Sequence, residues 1–247
     1  DDRQAEREAA IRRGVELLLA MQEGEAEGDD GPAEWPYQGV YRVNGQIPVG
    51  YRVGGTSICA MALMAAPGYE SDADRKAAVR GAIGFVCRAA DEPLMSIDEY
   101  EGGYDVRGWG YCYALQFLLA ARAADAIPAD LREESERRIR HYIDALQRIE
   151  IPSVGGWNYA RSPGRDAPSP CSPFMSAPSL RALYEARAQG FDVDDAVVTR
   201  GLDALQHCRT ASGAFAYASS GDARGSRDGT PGAVGRMVAA EGALELA

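Results

Sequence analysis

The stretch that decides the fold is residues 102–125, GGYDVRGWGYCYALQFLLAARAAD. It begins with a glycine-rich aromatic loop that carries Asp105 and Arg107. It continues without a break into an almost wholly apolar helix, predicted over residues 109–124. A helix that is apolar on nearly all sides is typical of a protein interior. We therefore expect this helix to be surrounded by other helices, with its first turn facing a cavity that the loop borders.

The same plan of amphipathic helix, aromatic loop and apolar helix occurs four times. Four amphipathic helix ends share one register, 67, 60 and 60 residues apart, and begin at Gly14, Gly81, His141 and Gly201. The apolar helices that follow the loops are predicted over residues 56–66, 109–124, 177–188 and 233–247. Such periodicity is the signature of a repeat protein. It predicts a single domain, 1–247, with repeats at 1–68, 69–127, 128–190 and 191–247.

Helices that alternate in polarity have one natural closed arrangement. The apolar helices form an inner ring and the amphipathic helices form an outer ring, which makes an all-α fold, an α/α toroid or part of one. One stretch departs from this pattern. Residues 40–53 have a β-like composition and are predicted as a small hairpin around Asn44 and Gly45.

The loops and the repeat length carry a resemblance to a known family. Loops such as Gly155-Gly-Trp-Asn-Tyr159, helix pairs of about sixty residues and apolar second helices resemble the prenyltransferase and squalene–hopene cyclase repeat superfamily, the terpenoid cyclase/protein prenyltransferase toroids. The resemblance covers the whole chain at the level of the repeat and is specific for fold, not for activity. It implies a central cavity edged by the aromatic loops. Rings of that superfamily generally have more than four helix pairs, so a chain truncated at the C-terminus, an open ring and closure by another route all stay open.

Two short motifs resemble catalytic or cavity-lining segments of the superfamily. Residues 191–195, FDVDD, match the DxDD string of class II terpene cyclases. We favour a capping role for Asp192, because Asp72 and Asp130 stand at equivalent helix starts. The other motif, residues 104–112, resembles the D-V-R-x-x-Y-C stretch of protein prenyltransferase β-subunits, with one extra residue before the Tyr-Cys pair.

The second motif implies that Arg107 lines the substrate cavity. A guanidinium there could bind a carboxylate or a diphosphate through its fork of N–H donors. The alternative is that Asp105 and Arg107 pair with each other and cap the following helix. No other loop reproduces this charged pair, so Asp105 and Arg107 are the candidates for catalysis.

The remaining candidates for ligand binding are mostly the loop aromatics. With the motif above, the predicted ligand-binding set is Trp35, Tyr37, Tyr104, Asp105, Arg107, Trp109, Tyr111, Cys112, Trp157, Tyr159, Phe215 and Tyr217. Aromatic rings could line a cavity for an isoprenoid or stabilise a cation. The alternative is that they are staples between loop and helix, because they recur once in each repeat.

Composition excludes several classes of function. The net charge is −11 and the pI is about 4.8, so no nucleic-acid partner is predicted. No apolar run is long enough for a transmembrane helix. The two histidines, His141 and His207, fall within amphipathic helices, and no CxxC pair occurs, so no metal and no other cofactor is predicted. Compartment and oligomeric state stay open.

Three functions are compatible with this sequence. The first is a cyclase-like or transferase-like protein that binds or acts on an isoprenoid or a similar apolar small molecule. The second is a non-catalytic repeat module that binds a protein or glycan. The third is a carbohydrate-active toroid with a carboxylate pair drawn from Asp98, Glu99, Glu101 and Asp105. Whether the protein is an enzyme stays open.

Overall fold

The computed structural model describes residues 2–23, 33–35, 37, 42, 44–98, 105–158, 169–219 and 230–246. The fold of these residues is all-α, as predicted. Their α-helices are α1 Asp2–Ala20, α2 Val49–Ala65, α3 Ala73–Ala89, α4 Arg107–Ala123, α5 Arg132–Arg148, α6 Pro173–Ala188, α7 Asp195–His207 and α8 Thr230–Leu244. Three short 3-10 turns precede α3, α4 and α5 in the chain. The described residues contain isolated β-bridges but no β-strand.

The helices are arranged by polarity. The apolar helices α2, α4, α6 and α8 pack side by side in chain order, so that α4 lies between α2 and α6. The amphipathic helices α3, α5 and α7 pack against α2, α4 and α6 respectively, and α1 contacts both α2 and α3. Helix α4 is therefore held on three sides, and most of its length is buried. This is the environment that its composition predicts.

The predicted hairpin over residues 40–53 is wrong at its C-terminal end. Residues 49–53 belong to α2, which begins directly after Pro48. The centre of the predicted hairpin agrees with the structure, because Asn44 and Gly45 form a turn at positive φ and the next residue, Gln46, is in a β-bridge. The β-branched and aromatic residues of this stretch suggested a strand, but tertiary packing overrides that weak local preference. The other apolar helices also begin earlier than predicted, by two to four residues.

Close packing between α2 and α4 explains why α2 begins at Val49. A Cβ added at Gly110 would lie 3.0 Å from the Cα of Gly50 and 2.9 Å from the Cε of Met95. A Cβ added at Gly54 would lie 2.3 Å from the Cδ1 of Trp109. Glycine therefore lets the two backbones approach and gives the indole a notch to occupy. This contact fixes the first turns of both helices.

Aspartates cap two of the amphipathic helices, but not all those that were predicted to do so. The Asp72 carboxylate accepts a hydrogen bond from the backbone N–H of Arg75 at 3.0 Å. At α7 the capping residue is Asp194, which accepts from the N–H of Ala196 at 2.7 Å, and the predicted cap Asp192 is exposed before it. The prediction for Asp192 was two residues early, because α7 begins only at Asp195.

Asp130 is likewise not the cap of α5. It lies in the 3-10 turn Ala129–Leu131, and Leu131 occupies the N-cap position. Its carboxylate instead pairs with Arg80 of α3, at 2.8 Å between Nη2 and Oδ2. This pair joins two neighbouring amphipathic helices at the surface.

Candidate functional site

The loop tryptophans Trp35 and Trp157 hold consecutive helices together. The backbone N–H of Trp157 donates to the Oγ of Ser176 on α6 at 2.8 Å, and its indole Nε1 donates to the carbonyl of Leu146 on α5 at 2.7 Å. Trp35 makes the same pair of bonds, to Thr56 Oγ1 on α2 at 3.0 Å and to the carbonyl of a last-turn residue of α1 at 2.7 Å. The last carbonyls of a helix have no partner within the helix, so the indoles satisfy them. Both side chains are buried, as the staple interpretation predicts.

The aromatic residues of the fourth loop differ from each other. Phe215 is buried, with the Arg209 guanidinium 4.8 Å from its ring centroid. Tyr217 is half exposed, and its ring centroid lies 5.1 Å from that of Phe174 at the start of α6. The fourth loop thus places one ring in the core and one ring on the surface beside α6.

Asp105 and Arg107 form a buried ion pair at the start of α4. Arg107 is 2% exposed, and its Nη2 and Nε donate to the two carboxylate oxygens of Asp105 at 2.8 and 3.0 Å. The backbone N–H of Arg107 also donates to Asp105 at 3.0 Å, and Nη1 donates to the carbonyl of Ser96. All three guanidinium nitrogens therefore donate within the protein. The geometry is that of the pairing alternative, in which the two residues fix the beginning of α4.

Tyr111 and Cys112 are also part of the core. The Tyr111 hydroxyl donates to the carbonyl of Met95 at 2.6 Å, and burial raises the pKa of this phenol. Burial raises the pKa of the Cys112 thiol to about 12, so it stays protonated at neutral pH. Neither group is prepared for nucleophilic or acid–base chemistry.

Trp109 belongs to a cluster of four aromatic side chains, hereafter the aromatic cluster. Tyr37 lies nearly parallel to the Trp109 indole, with centroids 6.4 Å apart, and Tyr51 stands edge-on to both rings. Tyr113, four residues further along α4, lies 4.6 Å from Trp109. The Trp109 Nε1 is buried without an acceptor among the described residues, against the notch at Gly54. Sequence reasoning did not select Tyr113, although its spacing from Trp109 places both on one helix face.

A cleft of about 510 Å³ opens between α4, α6 and the α8 region. Its walls are largely apolar, with Tyr113 from α4, Phe174 and Pro178 from α6, Val238 from α8 and Leu246 just beyond α8. Tyr113 belongs to both the cleft and the aromatic cluster, so the two features are continuous. None of the sequence-predicted site residues lines the cleft itself, although Trp109 and Tyr217 contact residues that do.

Three polar side chains interrupt these apolar walls. They are Gln116, Arg181 and Glu185. The Gln116 amide donates to the carbonyl of Pro178 at 3.1 Å, and Arg181 Nε donates to Glu185 at 2.8 Å. Residues 174, 178, 181, 185 and 188 follow the three-to-four-residue spacing of a single helix face. That spacing is the signal that identifies this side of α6 in the sequence.

The DxDD string lies elsewhere, at the exposed start of α7. Asp192 borders a depression of about 280 Å³ beside α5, together with Phe191 and Arg140. Asp194 caps the helix, and Asp195 pairs with Arg187 at 2.5 Å. An acid that protonates an alkene needs an apolar, water-poor cavity. These carboxylates are exposed, as the capping interpretation requires.

Of the four carboxylates considered as a glycosidase pair, the structure describes Asp98 and Asp105. Asp98 is exposed and pairs with Arg148, whereas Asp105 is buried against Arg107. Glu99 and Glu101 lie outside the described residues, as do Tyr104 and Tyr159 of the predicted ligand-binding set.

Metal-ligating side chains are scattered in the part of the chain that the structure describes. No group of three His, Cys, Asp or Glu side chains there could hold a metal ion. His141 is partly buried in α5, and its Nε2 has no hydrogen-bond partner among the described residues. His207 is exposed at the end of α7. The described helices also include none with the length and hydropathy needed to cross a membrane.

No family model, no curated protein and no solved structure matches this chain. The functional assignment therefore depends on the geometry of the site itself.

Proposed function

We propose that this protein is a helical repeat protein of the prenyltransferase and squalene–hopene cyclase type that binds an apolar small molecule, such as an isoprenoid, in the cleft beside α6. The arrangement of helices supports the first part. A row of four apolar helices in chain order, of which α2, α4 and α6 are each backed by an amphipathic helix, is what one wall of an α/α toroid requires. In that arrangement the exposed side of the apolar row faces the centre of the ring.

The cleft is the observation that carries the proposal. Its volume of about 510 Å³ lies within the usual range of small-molecule sites, roughly 300 to 1,000 Å³. Its walls combine Tyr113, Phe174, Pro178 and Val238 with only a few polar groups. Such a lining favours a ligand whose surface is mostly hydrocarbon, because burial of apolar surface contributes most of the binding free energy.

The proposal is one of binding and includes no chemical step. Arg107 and Asp105 satisfy each other in the core, and the Cys112 thiol is held protonated by burial. The charged groups that line the cleft, Arg181 and Glu185, are bonded to each other. The described residues thus provide a place for an apolar ligand but no pair of groups arranged for catalysis.

Filling the cleft with a side chain tests the proposal. Gly242 lines the cleft, whereas Gly235 lies on the same helix outside it, and a Cβ at either position would meet no atom within 4 Å. We expect farnesol to bind the unmodified protein, measured by isothermal titration calorimetry. Gly242→Trp should weaken binding at least about tenfold by occupying the site, while the matched variant Gly235→Trp should leave it unchanged.

The same titrations show which results would refute the proposed function or the assigned site. Absence of farnesol binding to the unmodified protein would refute the proposed function. Equal affinity in all three proteins would show that the ligand binds outside this cleft and would refute the assigned site.

A further inference from the structure

Arg181 gives the cleft a charged edge that an isoprenoid hydrocarbon would not use. It is the one basic side chain among the residues that line the cleft in the described structure, and its side chain is 65% exposed. Its Nε donates to Glu185 Oε1 at 2.8 Å, and its other nitrogens have no acceptor among the described residues. A guanidinium presents five N–H donors in a planar fork. The edge formed by Nη1 and Nη2 therefore remains available to a ligand.

The position of Arg181 connects this edge to the apolar walls. It lies three residues after Pro178 and seven after Phe174, so all three share one face of α6. Val238 of α8 lines the same cleft. A ligand that runs along the apolar wall thus reaches the guanidinium without leaving the helix face.

We infer that the natural ligand is a single-chain amphiphile that ends in a carboxylate, with its chain on the apolar wall and its carboxylate bidentate on Arg181. This inference rests on the proposed function and specifies the class of molecule. A carboxylate matches the spacing of two guanidinium N–H donors, and such bonds are among the strong ones because both partners are charged. The apolar chain supplies affinity, and the head fixes the direction in which the ligand lies.

The local charge favours a monoanion over a diphosphate. Glu185 already neutralises much of the charge of Arg181, and no second basic side chain lines the cleft in the described part of the chain. The whole chain carries a net charge of −11, which opposes the approach of polyanions. A single carboxylate needs only the free edge of one guanidinium. A diphosphate would leave most of its charge without a partner.

Four probes with the same twelve-carbon chain test the inference. Dodecanoate, dodecanol, dodecyl diphosphate and dodecyltrimethylammonium are titrated below their micelle concentrations and followed by isothermal titration calorimetry. We expect dodecanoate to bind at least about tenfold tighter than the other three, the range of a charge-assisted hydrogen-bond pair. Arg181→Gln should remove that advantage and leave the affinity for dodecanol unchanged.

Two further variants separate the headgroup contact from a change in the fold. Glu185→Gln should strengthen dodecanoate binding severalfold, because it removes the carboxylate that competes for Arg181, and should not affect dodecanol. Arg137→Gln, an exposed guanidinium on α5 outside the cleft, should change nothing. A purely structural role for Arg181 would not produce opposite effects of Arg181→Gln and Glu185→Gln.

The outcomes distinguish this inference from the proposed function on which it rests. Equal binding of dodecanoate and dodecanol would overturn the headgroup assignment and leave the apolar cleft supported. Tighter binding of the diphosphate or of the trimethylammonium probe would also overturn it and would identify that headgroup as the preferred one. Failure of all four probes while farnesol binds would overturn the inference alone, and failure of farnesol as well would refute the proposed function itself.

Discussion

Replacing Trp157 by phenylalanine tests whether the loop tryptophans hold the repeats together. Trp157 is completely buried, and its indole N–H donates to the carbonyl of Leu146 at 2.7 Å in the last turn of α5. Phenylalanine keeps a ring in the same space but cannot donate. Trp35 is also buried and makes the equivalent bond at 2.7 Å, but its acceptor is the carbonyl of the partly exposed Leu18, so it provides a matched control.

The cost of each substitution follows from the surroundings of the carbonyl that loses its donor. A buried acceptor left without a partner costs about 1–3 kcal/mol, and the smaller ring leaves unfilled space that costs about 1 kcal/mol more. We therefore expect Trp157→Phe to lower the free energy of unfolding by about 3 kcal/mol. In Trp35→Phe the Leu18 carbonyl loses the indole but still accepts from the backbone N–H of Met21 at 3.2 Å, so we expect this substitution to cost only about 1.5 kcal/mol.

Urea unfolding followed by far-UV circular dichroism measures both values. With a denaturant slope of about 3 kcal/mol/M, the midpoint should fall by about 1 M for Trp157→Phe and about 0.5 M for Trp35→Phe. A loss below about 1 kcal/mol for Trp157→Phe would refute the staple role that we assign to the indole. A larger loss for Trp35→Phe than for Trp157→Phe would refute the argument from burial.

Three other predictions concern the ion pairs and the glycine contacts. Asp105→Asn should lower the free energy of unfolding by about 3–5 kcal/mol because it leaves a buried guanidinium without a counter-charge; urea unfolding checks this, and a loss under 1 kcal/mol would contradict it. Gly110→Ala should destabilise the protein, because the added Cβ would meet the backbone of α2 at 3.0 Å. Gly235→Ala lies on open helix surface and should instead stabilise the protein by about 0.5–1 kcal/mol. Thermal unfolding measures both changes, and the same sign for the two variants would count against the packing described. The Arg138 guanidinium lowers the pKa of Asp91, so this pair stabilises the fold above the unfolded carboxyl pKa of about 3.9, and that stabilisation is lost as the pH falls through the lower folded pKa. Asp91→Asn should therefore reduce stability at pH 7 and flatten its decline on acidification; urea midpoints between pH 7 and about pH 2 test this, and an unchanged decline would be inconsistent with it.

Much of the fold could be predicted from the sequence because helices that are mostly apolar alternate along the chain with helices that are amphipathic. The apolar helix now seen as α4 was expected to be surrounded, and it contacts α2, α5 and α6. The start of α2 was missed because Tyr51 and Val53 have strand-like propensities. What makes that stretch helical is the approach of α4 at Gly50, a contact between residues far apart in the chain.

The candidate site could be predicted only in part. One of the two interpretations offered for the loop aromatics, the staple, describes Trp35 and Trp157. A cavity was predicted but the residues that line this cleft were not, because its walls come from three helices and none of its residues belongs to a recognisable motif. Nothing in the sequence distinguishes Phe174 and Val238 from other apolar residues, and only the packing of α4, α6 and α8 brings them together.

The row of apolar helices has a consequence for local opening of the protein. Because α4 is held by three helices while the main contact of α8 in the described chain is with α6, the free energy of local opening should differ along the row. Backbone amides of α8 should exchange with deuterium before those of α4. The proposed ligand would touch both helices and α6 between them, so binding would slow exchange most strongly where the free protein opens most readily.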